Sequence, residues 1–105
     1  MFAVIYHFNV KRGQEVLFEA SWAALTDLIY CHENSLGSRL HKSKEGKYIA
    51  YALWPDQETW KNSGELLPPE AKEWRTKLRS SCEQVLTLHE MEVIDDKLMN
   101  KQYQS

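Results

Sequence analysis

Hydrophobic and polar positions alternate along Phe2–Val10, where every second side chain is apolar. A period of two predicts a β-strand, and hydrophobes on both of its faces favour a central strand that is covered on both sides. Lys11–Gly13 breaks the pattern. Over Gln14–His32 the apolar residues recur at helical spacing, which predicts an amphipathic helix with Glu33 among the residues that face water.

The stretch YIAYALWPDQETW contains the clearest strand of the chain, which is followed by a helix start. One face of the predicted strand carries Tyr48, Ala50, Ala52 and Trp54, and the other carries Ile49, Tyr51 and Leu53. Pro55 ends the strand because proline has no amide hydrogen to donate. Asp56 is then expected to be the N-cap of a short helix over 56–63.

The remaining elements are predicted from the same two periods. Leu36–Lys42 is a strand that forms a hairpin with the YIAYALW strand through a turn at Gly46, where a positive φ is expected. Glu70–Cys82 has one apolar stripe, which predicts a helix that includes Trp74. Val85–Ile94 is the last strand. Strict alternation places Val85, Thr87, His89, Met91 and Val93 on one of its faces.

The element order is βαββαβ, which predicts an α+β fold of the ferredoxin-like type. We expect a four-stranded antiparallel sheet with the helices on one face, in a single domain over residues 1–97 with a polar C-terminal tail at 98–105. The second face of the sheet would keep large apolar side chains such as Ile5, Tyr51 and Leu53. Because contiguous apolar patches are rare on monomers, we expect a homodimer through this sheet face.

Composition excludes several partners. A chain of 105 residues with a net charge of −2 has no basic footprint for nucleic acid or for acidic membrane surfaces. No segment reaches membrane-spanning length, and Met1–Val10 is a strand and not a targeting segment. Cys31 and Cys82 are isolated, so buried reduced thiols and a cytoplasmic location are expected.

Candidate chemistry rests on the aromatic residues. Four of them are candidates for the walls of a flat pocket for a small aromatic molecule: Tyr6, Trp54, Trp60 and Trp74. His89, Arg39 and Tyr48 are candidates for handling a proton or an oxyanion. Simple packing of the core is the alternative for each tryptophan, because large aromatics dominate small cores.

Metal and phosphate sites are not expected. The four histidines are scattered and none is at ligand spacing with another ligand inside one element, so no metal site is predicted. No glycine-rich phosphate loop is present. Lys72, Arg75 and Arg79 are consistent with a groove for an anionic ligand, although a solvated helix face is the ordinary interpretation.

Taken together, the βαββαβ order, the GSRLH strand, the W-P-D-x-E-x-W segment that ends at Trp60, and the chain length resemble the antibiotic-biosynthesis monooxygenase domain. The resemblance covers residues 1 to about 97. It implies a dimeric α+β barrel with a pocket between sheet and helices in each protomer. It also implies oxidation of an aromatic or quinol-like substrate by O₂ without a metal, flavin or other cofactor, as in some members, whereas others degrade haem.

The resemblance transfers only in part to individual residues. Trp54 matches the tryptophan that ends the third strand in quinone-forming members, and Trp60 matches their aromatic on the following helix. Ala50 stands where those members have a polar amide. The haem-degrading branch uses a strand asparagine and a helix histidine; Tyr6 replaces the former, and Asp56–Cys82 contains no histidine.

Three functions therefore remain open. The first is a cofactor-independent monooxygenase, which the resemblance favours. The second is a non-catalytic dimer that binds or senses a small ligand in the same pocket, and the third is a dimer that acts through its surface. A cavity with a polar group directed into it would favour the first, a purely apolar cavity the second, and a filled core the third.

Overall fold

The computed structural model describes residues 1–98 of the chain, so most of the predicted tail at 98–105 lies outside the described residues. The elements in chain order are β1 Phe2–Val10, α1 Glu15–His32, β2 Gly37–Lys42, β3 Tyr48–Trp54, α2 Gln57–Lys61, α3 Glu70–Ser80 and β4 Cys82–Glu92.

The sheet is antiparallel throughout and has the strand order β2-β3-β1-β4. β1 is central, as predicted, and pairs with β3 on one side and with β4 on the other. Helices α1 and α3 pack on one face of the sheet and bury a common core with it. The predicted α+β ferredoxin-like fold is confirmed.

The two faces of β3 are also as predicted. Its alternate residues from Tyr48 to Trp54 are buried, and the residues between them are partly exposed. Phe18 of α1 is fully buried against this face, with its ring centroid 4.8 Å from that of Tyr48 and 5.1 Å from that of Phe8. This aromatic cluster fixes α1 on the sheet, because each of its rings has apolar neighbours and little contact with water.

Two local predictions around β3 are confirmed. The Asp56 carboxylate accepts a hydrogen bond from the Thr59 backbone N–H at 2.7 Å, so Asp56 is the N-cap of α2. Gly46 in the β2–β3 turn has a φ of 83°, a conformation that favours glycine. The cap turns the chain immediately after Trp54 and so holds Trp60 near the sheet.

Glu33 does not face water as the helical pattern predicted. It is only 3% exposed, and its carboxylate accepts a hydrogen bond from the backbone N–H of Gly64. The residue follows the last residue of α1, where the helical periodicity no longer decides which way a side chain points. The contact ties the end of α1 to the connection between α2 and α3.

The boundary between α3 and β4 differs from the prediction. Helix α3 ends at Ser80 and β4 already begins at Cys82, whereas a helix to Cys82 and a strand from Val85 were expected. Ser80 and Ser81 donate side-chain hydrogen bonds to the carbonyls of Lys77 and Leu78, and these bonds satisfy the end of the helix. No glycine or proline is needed to end it.

β4 contains two irregularities that sequence alternation did not predict. Its eleven residues stand opposite the nine residues of β1, and the pairing shifts between Ile5 and Tyr6 and between Asn9 and Val10. At the first shift, Thr87 pairs with Tyr6 and His89 with Ile5, which leaves Leu88 as the extra residue of a β-bulge. The faces of β4 therefore change over at Leu88.

No helix among residues 1–98 packs on the sheet face opposite α1 and α3, which we call the uncovered face, although the C-terminal segment reaches it at Leu98. This face carries a shallow depression lined by apolar side chains that include Ile5, Ile49, Tyr51, Leu53 and Leu98. Leu86, Leu88 and Met91 of β4 are exposed as well. Of the two cysteines, Cys82 is buried as predicted, but Cys31 is exposed, and both are free.

Candidate active site

A cavity of about 630 Å³ lies between the helix-facing side of the sheet and the helices. Its size is within the range of small-molecule sites. Five aromatic side chains contribute to its walls: Tyr6, Phe8, Trp22, Trp54 and Trp60. The small Ala50 and Ala52 of β3 lie in the wall between larger neighbours, which leaves room for a flat ligand above the strand.

Tyr6 and Trp60 form the main polar contact of the cavity. The indole Nε1 of Trp60 donates a hydrogen bond to the Tyr6 hydroxyl oxygen at 2.7 Å. An indole N–H is only a donor, so the Tyr6 O–H remains available to donate to a ligand. Burial of this half-buried tyrosine raises the pKa of its hydroxyl, and the negative charge of Glu90 raises it further, against the Trp60 hydrogen bond that lowers it. Tyr6 is therefore a neutral donor around neutral pH.

Trp54 contributes a second donor. It is 4% exposed, and its Nε1–H is buried without an acceptor among the described residues. An unsatisfied buried donor costs about 1–3 kcal/mol, so a ligand acceptor that reached this atom by displacing the side chains that cover it would recover that cost. Trp60 packs against the same buried cluster and lies 5.6 Å from Phe2 between ring centroids. The two tryptophans thus belong to the same part of the core.

Glu90 provides the only carboxylate among the described residues that line the cavity. It pairs with Val4 of β1, whose side chain is fully buried on the helix-facing side. The bulge at Leu88 is what places Glu90 on this helix-facing side. Without the bulge, strict alternation would have placed His89 on the side of Val85 and Thr87.

The cavity is also lined by basic side chains. Lys61 comes from the end of α2, and Arg75 and Arg79 come from successive turns of α3. The sequence interpretation of the two arginines as a solvated helix face is therefore incomplete, since both residues are exposed but also line the cavity.

The structure brings only part of the predicted set together. Tyr6, Trp54 and Trp60 line the cavity, whereas Trp74 lies outside its lining and instead stacks under Lys77, with the Nζ 4.6 Å from the ring centroid. Helix α3 presents Trp74 to the core from a position one residue before Arg75, so the two side chains point in different directions.

The three candidates for proton or oxyanion chemistry all lie elsewhere. Arg39 lines the depression on the uncovered face of the sheet. His89 pairs with Ile5, which lines that same depression, so the bulge turns it away from the cavity. The Tyr48 hydroxyl donates a hydrogen bond to the Glu19 carboxylate at 2.5 Å. Burial is the main cause that raises the pKa of this hydroxyl, and the Glu19 carboxylate raises it further. Tyr48 therefore holds α1 to β3.

Glu90 is the functional candidate that sequence reasoning missed. Its neighbours read as a regular alternating strand, and nothing in TLHEME marks an inserted residue. The available signal was indirect: β4 has eleven residues opposite the nine of β1, and the two extra residues correspond to the two shifts in pairing. Trp22 is one of the apolar residues of α1, and its place in the cavity wall was not predicted.

Two further observations concern the described residues as a whole. Within residues 1–98, no group of three or more His, Cys, Asp or Glu side chains is arranged to hold a metal ion. None of the helices in that range is both long enough and apolar enough to span a membrane.

Comparison with known proteins identifies the fold. No family model matches the chain, and no curated protein sequence matches it either. Solved structures do match. SnoaB, a cofactor-independent oxygenase from Streptomyces nogalater, is 16% identical with a TM-score of 0.71, and the match covers 91% of this chain and 95% of SnoaB.

Two further structures, both of proposed antibiotic biosynthesis monooxygenases, agree with this result. The protein from Caulobacter crescentus is 17% identical with a TM-score of 0.75, and the match covers 90% of each chain. The protein from Bordetella bronchiseptica is 21% identical with a TM-score of 0.71, and the match covers 89% of this chain and 96% of that one. The chain therefore has the fold of the antibiotic-biosynthesis monooxygenases, as its sequence pattern suggested.

Proposed function

We propose that this chain is a cofactor-independent monooxygenase that oxidises an aromatic or quinol-like small molecule with O₂ in the cavity between sheet and helices. The observation that carries the proposal is a pair of hydrogen-bond donors at an aromatic cavity: the free Tyr6 O–H in its wall, and the Trp54 Nε1–H, which is buried in the same wall and becomes available when a ligand displaces the side chains that cover it. Such a pair is suited to hold one oxygen of a substrate that becomes an anion.

The chemistry begins with loss of a phenolic proton, which makes the ring electron-rich. The anion transfers one electron to O₂, the two radicals combine at a ring carbon, and the resulting hydroperoxide loses water to leave a carbonyl. The overall balance is one O₂ consumed, one oxygen atom inserted and one water released. No metal or flavin is required, because the substrate itself supplies the electrons.

The residues of the cavity have separate tasks in this scheme. Trp54 and Trp60 hold the ring flat and exclude water from the radical pair. The Tyr6 O–H and the Trp54 N–H stabilise the developing oxyanion, which Tyr6 can do because its raised pKa keeps it protonated. Glu90 is the proton acceptor, since it is the carboxylate that lines the cavity near Tyr6.

Oxygen uptake by metal-stripped protein tests the proposal. We expect the protein to accelerate O₂ consumption with at least one compound in a panel of anthrones and hydroquinones, measured with an oxygen electrode. A protein-free control is essential because these compounds also oxidise spontaneously. Uptake at the control rate, combined with binding of the same compounds, would favour the alternative of a non-catalytic ligand-binding dimer.

We also propose that the chain forms a homodimer through the uncovered face of the sheet. Tyr51 and Leu53 are partly exposed there beside Ile5 and Ile49, and a monomer would leave this apolar surface in water. A second copy of the same face would cover it with matching apolar side chains.

Substitution of Leu53 by glutamate should convert the dimer to a monomer, because it would place a charge in the centre of an apolar interface. Sedimentation equilibrium at several protein concentrations measures the change. Val16→Glu is the matched control, since Val16 is 84% exposed on α1, on the other side of the sheet. A wild-type chain that sediments as a monomer at all concentrations would refute the dimer.

A further inference from the structure

Three cationic side chains, Lys61, Arg75 and Arg79, line the cavity. None of them has an ion-pair partner in the part of the chain that the structure describes, where the salt bridges are Lys47–Glu45, Lys77–Glu73 and Lys97–Asp95. The chain as a whole carries a net charge of −2, so this local excess of positive charge runs against its overall balance. Unpaired cations at a cavity are suited to an anionic ligand.

The spacing of the two arginines supports this interpretation. Arg75 and Arg79 are four residues apart on α3, where like charges repel each other and destabilise the helix. Lys77 on the same helix is paired with Glu73 at 3.1 Å, so the helix does supply a carboxylate to one of its cations. The negative end of the helix dipole favours Arg79 in the last turn, but it does not account for Arg75 in the middle.

The hydrogen-bond donors of Trp54 and Tyr6 indicate a second group that the ligand carries. The Trp54 Nε1–H has no acceptor among residues 1–98 although Trp54 is almost completely buried. An oxygen acceptor on a ligand would satisfy the free O–H of Tyr6 and, once the side chains that cover it move, the Trp54 N–H. The aromatic side chains that line the same cavity suit a flat ring.

Glu90 is the one carboxylate of the cavity that would repel an anion, and its position limits this effect. It pairs with Val4, whereas Val85 pairs with Phe8, which is four residues away along β1. At the rise of a strand this separation is roughly 13 Å. Arg79 belongs to the last turn of α3, directly before β4 begins, and so lies toward the Val85 end.

We propose that this cavity binds an aromatic carboxylate, with an oxygen of the ring at Tyr6 and Trp54 and with the carboxylate held by Arg75 and Arg79. Lys61 adds positive charge to the same cavity. Arginine suits this task because its planar guanidinium donates two parallel hydrogen bonds to a carboxylate. The inference rests on the proposed function only in assuming that the cavity holds an aromatic ligand, and it names the class of that ligand.

Isothermal titration calorimetry with two matched probes tests the proposal. The probes are 6-hydroxy-2-naphthoate and 6-hydroxy-2-naphthamide, which share the ring and the phenol and differ in charge. We expect the carboxylate to bind the wild-type chain about tenfold more tightly or better, because hydrogen bonds to charged groups are the stronger ones. This preference should weaken as salt is added.

Two variants assign the effect to the arginines. In Arg75→Gln/Arg79→Gln the affinities for the two probes should come to within about twofold of each other. Lys44→Gln removes a charge from the exposed β2–β3 turn, far from the cavity lining, and should keep the wild-type preference. Circular dichroism checks that both variants are folded.

The outcomes separate the two proposals. Equal binding of both probes to the wild-type chain would overturn the carboxylate inference and leave the aromatic cavity in place. If the arginine variant bound neither probe, the carboxylate inference would also be overturned. The arginines would then maintain the structure of the cavity and would not recognise the carboxylate. Binding of neither probe to the wild-type chain would refute the aromatic cavity itself, and with it the proposed function.

Discussion

Replacement of Trp54 by phenylalanine is expected to lower the rate of catalysed oxygen uptake by on the order of 100-fold. Phenylalanine keeps an aromatic ring in the wall but removes the Nε1–H, which is the buried donor without an acceptor among residues 1–98. If this donor stabilises the oxyanion, its loss affects the transition state more than the bound substrate. The rate at saturating substrate should therefore fall more than substrate affinity does.

The oxygen electrode measures this effect with the substrate that the panel identifies. Trp74→Phe is the matched control, because it makes the same change in a tryptophan that lies outside the cavity lining and should leave the rate within a few-fold of the wild type. Thermal unfolding of both variants shows whether the fold is kept. Equal losses in the two variants would remove Trp54 from the proposed site.

Replacement of Phe18 by alanine should lower the free energy of unfolding by about 3–5 kcal/mol. Phe18 is fully buried and contacts the rings of both Phe8 and Tyr48, so the truncation leaves a cavity where α1 meets the sheet. A loss of this size is a large part of the stability of a typical domain, so we expect the variant to unfold at a much lower denaturant concentration.

Chemical denaturation followed by circular dichroism, at one fixed protein concentration, measures the difference. Val16→Ala is the control on the exposed side of the same helix, where the change should stay within about 0.5 kcal/mol. A loss below about 1 kcal/mol for Phe18→Ala would show that the aromatic cluster does not hold the helix in place.

The part of the fold that was predictable from the sequence is the part where two independent patterns agree. In β3, the alternation of Tyr48, Ala50, Ala52 and Trp54 coincides with a proline stop and an aspartate cap, so both the faces and the end of the strand follow from the residues. The strand end and the cap together fix where the next helix begins, and so bring Trp60 to the buried cluster that contains Trp54.

The rest depended on contacts that no local pattern records. The end of α3 is made by serine hydroxyls that bond back to the helix carbonyls, although serine is common in many other settings. The cavity face of β4 depends on a bulge that can be recognised only opposite the shorter β1. His89 and Glu90 were therefore assigned to opposite faces from those they occupy, and the candidate proton acceptor changed from an imidazole to a carboxylate.

The bulge at Leu88 reverses the inside–outside alternation of the side chains for the rest of β4. Residues from Gln84 to Thr87 follow one alternation of inside and outside, and residues from His89 onward follow the opposite one. A single extra residue thus determines which chemical group enters the cavity, without any change in the groups themselves. For a strand of this kind, insertions and deletions alter the site more deeply than substitutions do, and the position of the insertion matters more than its identity.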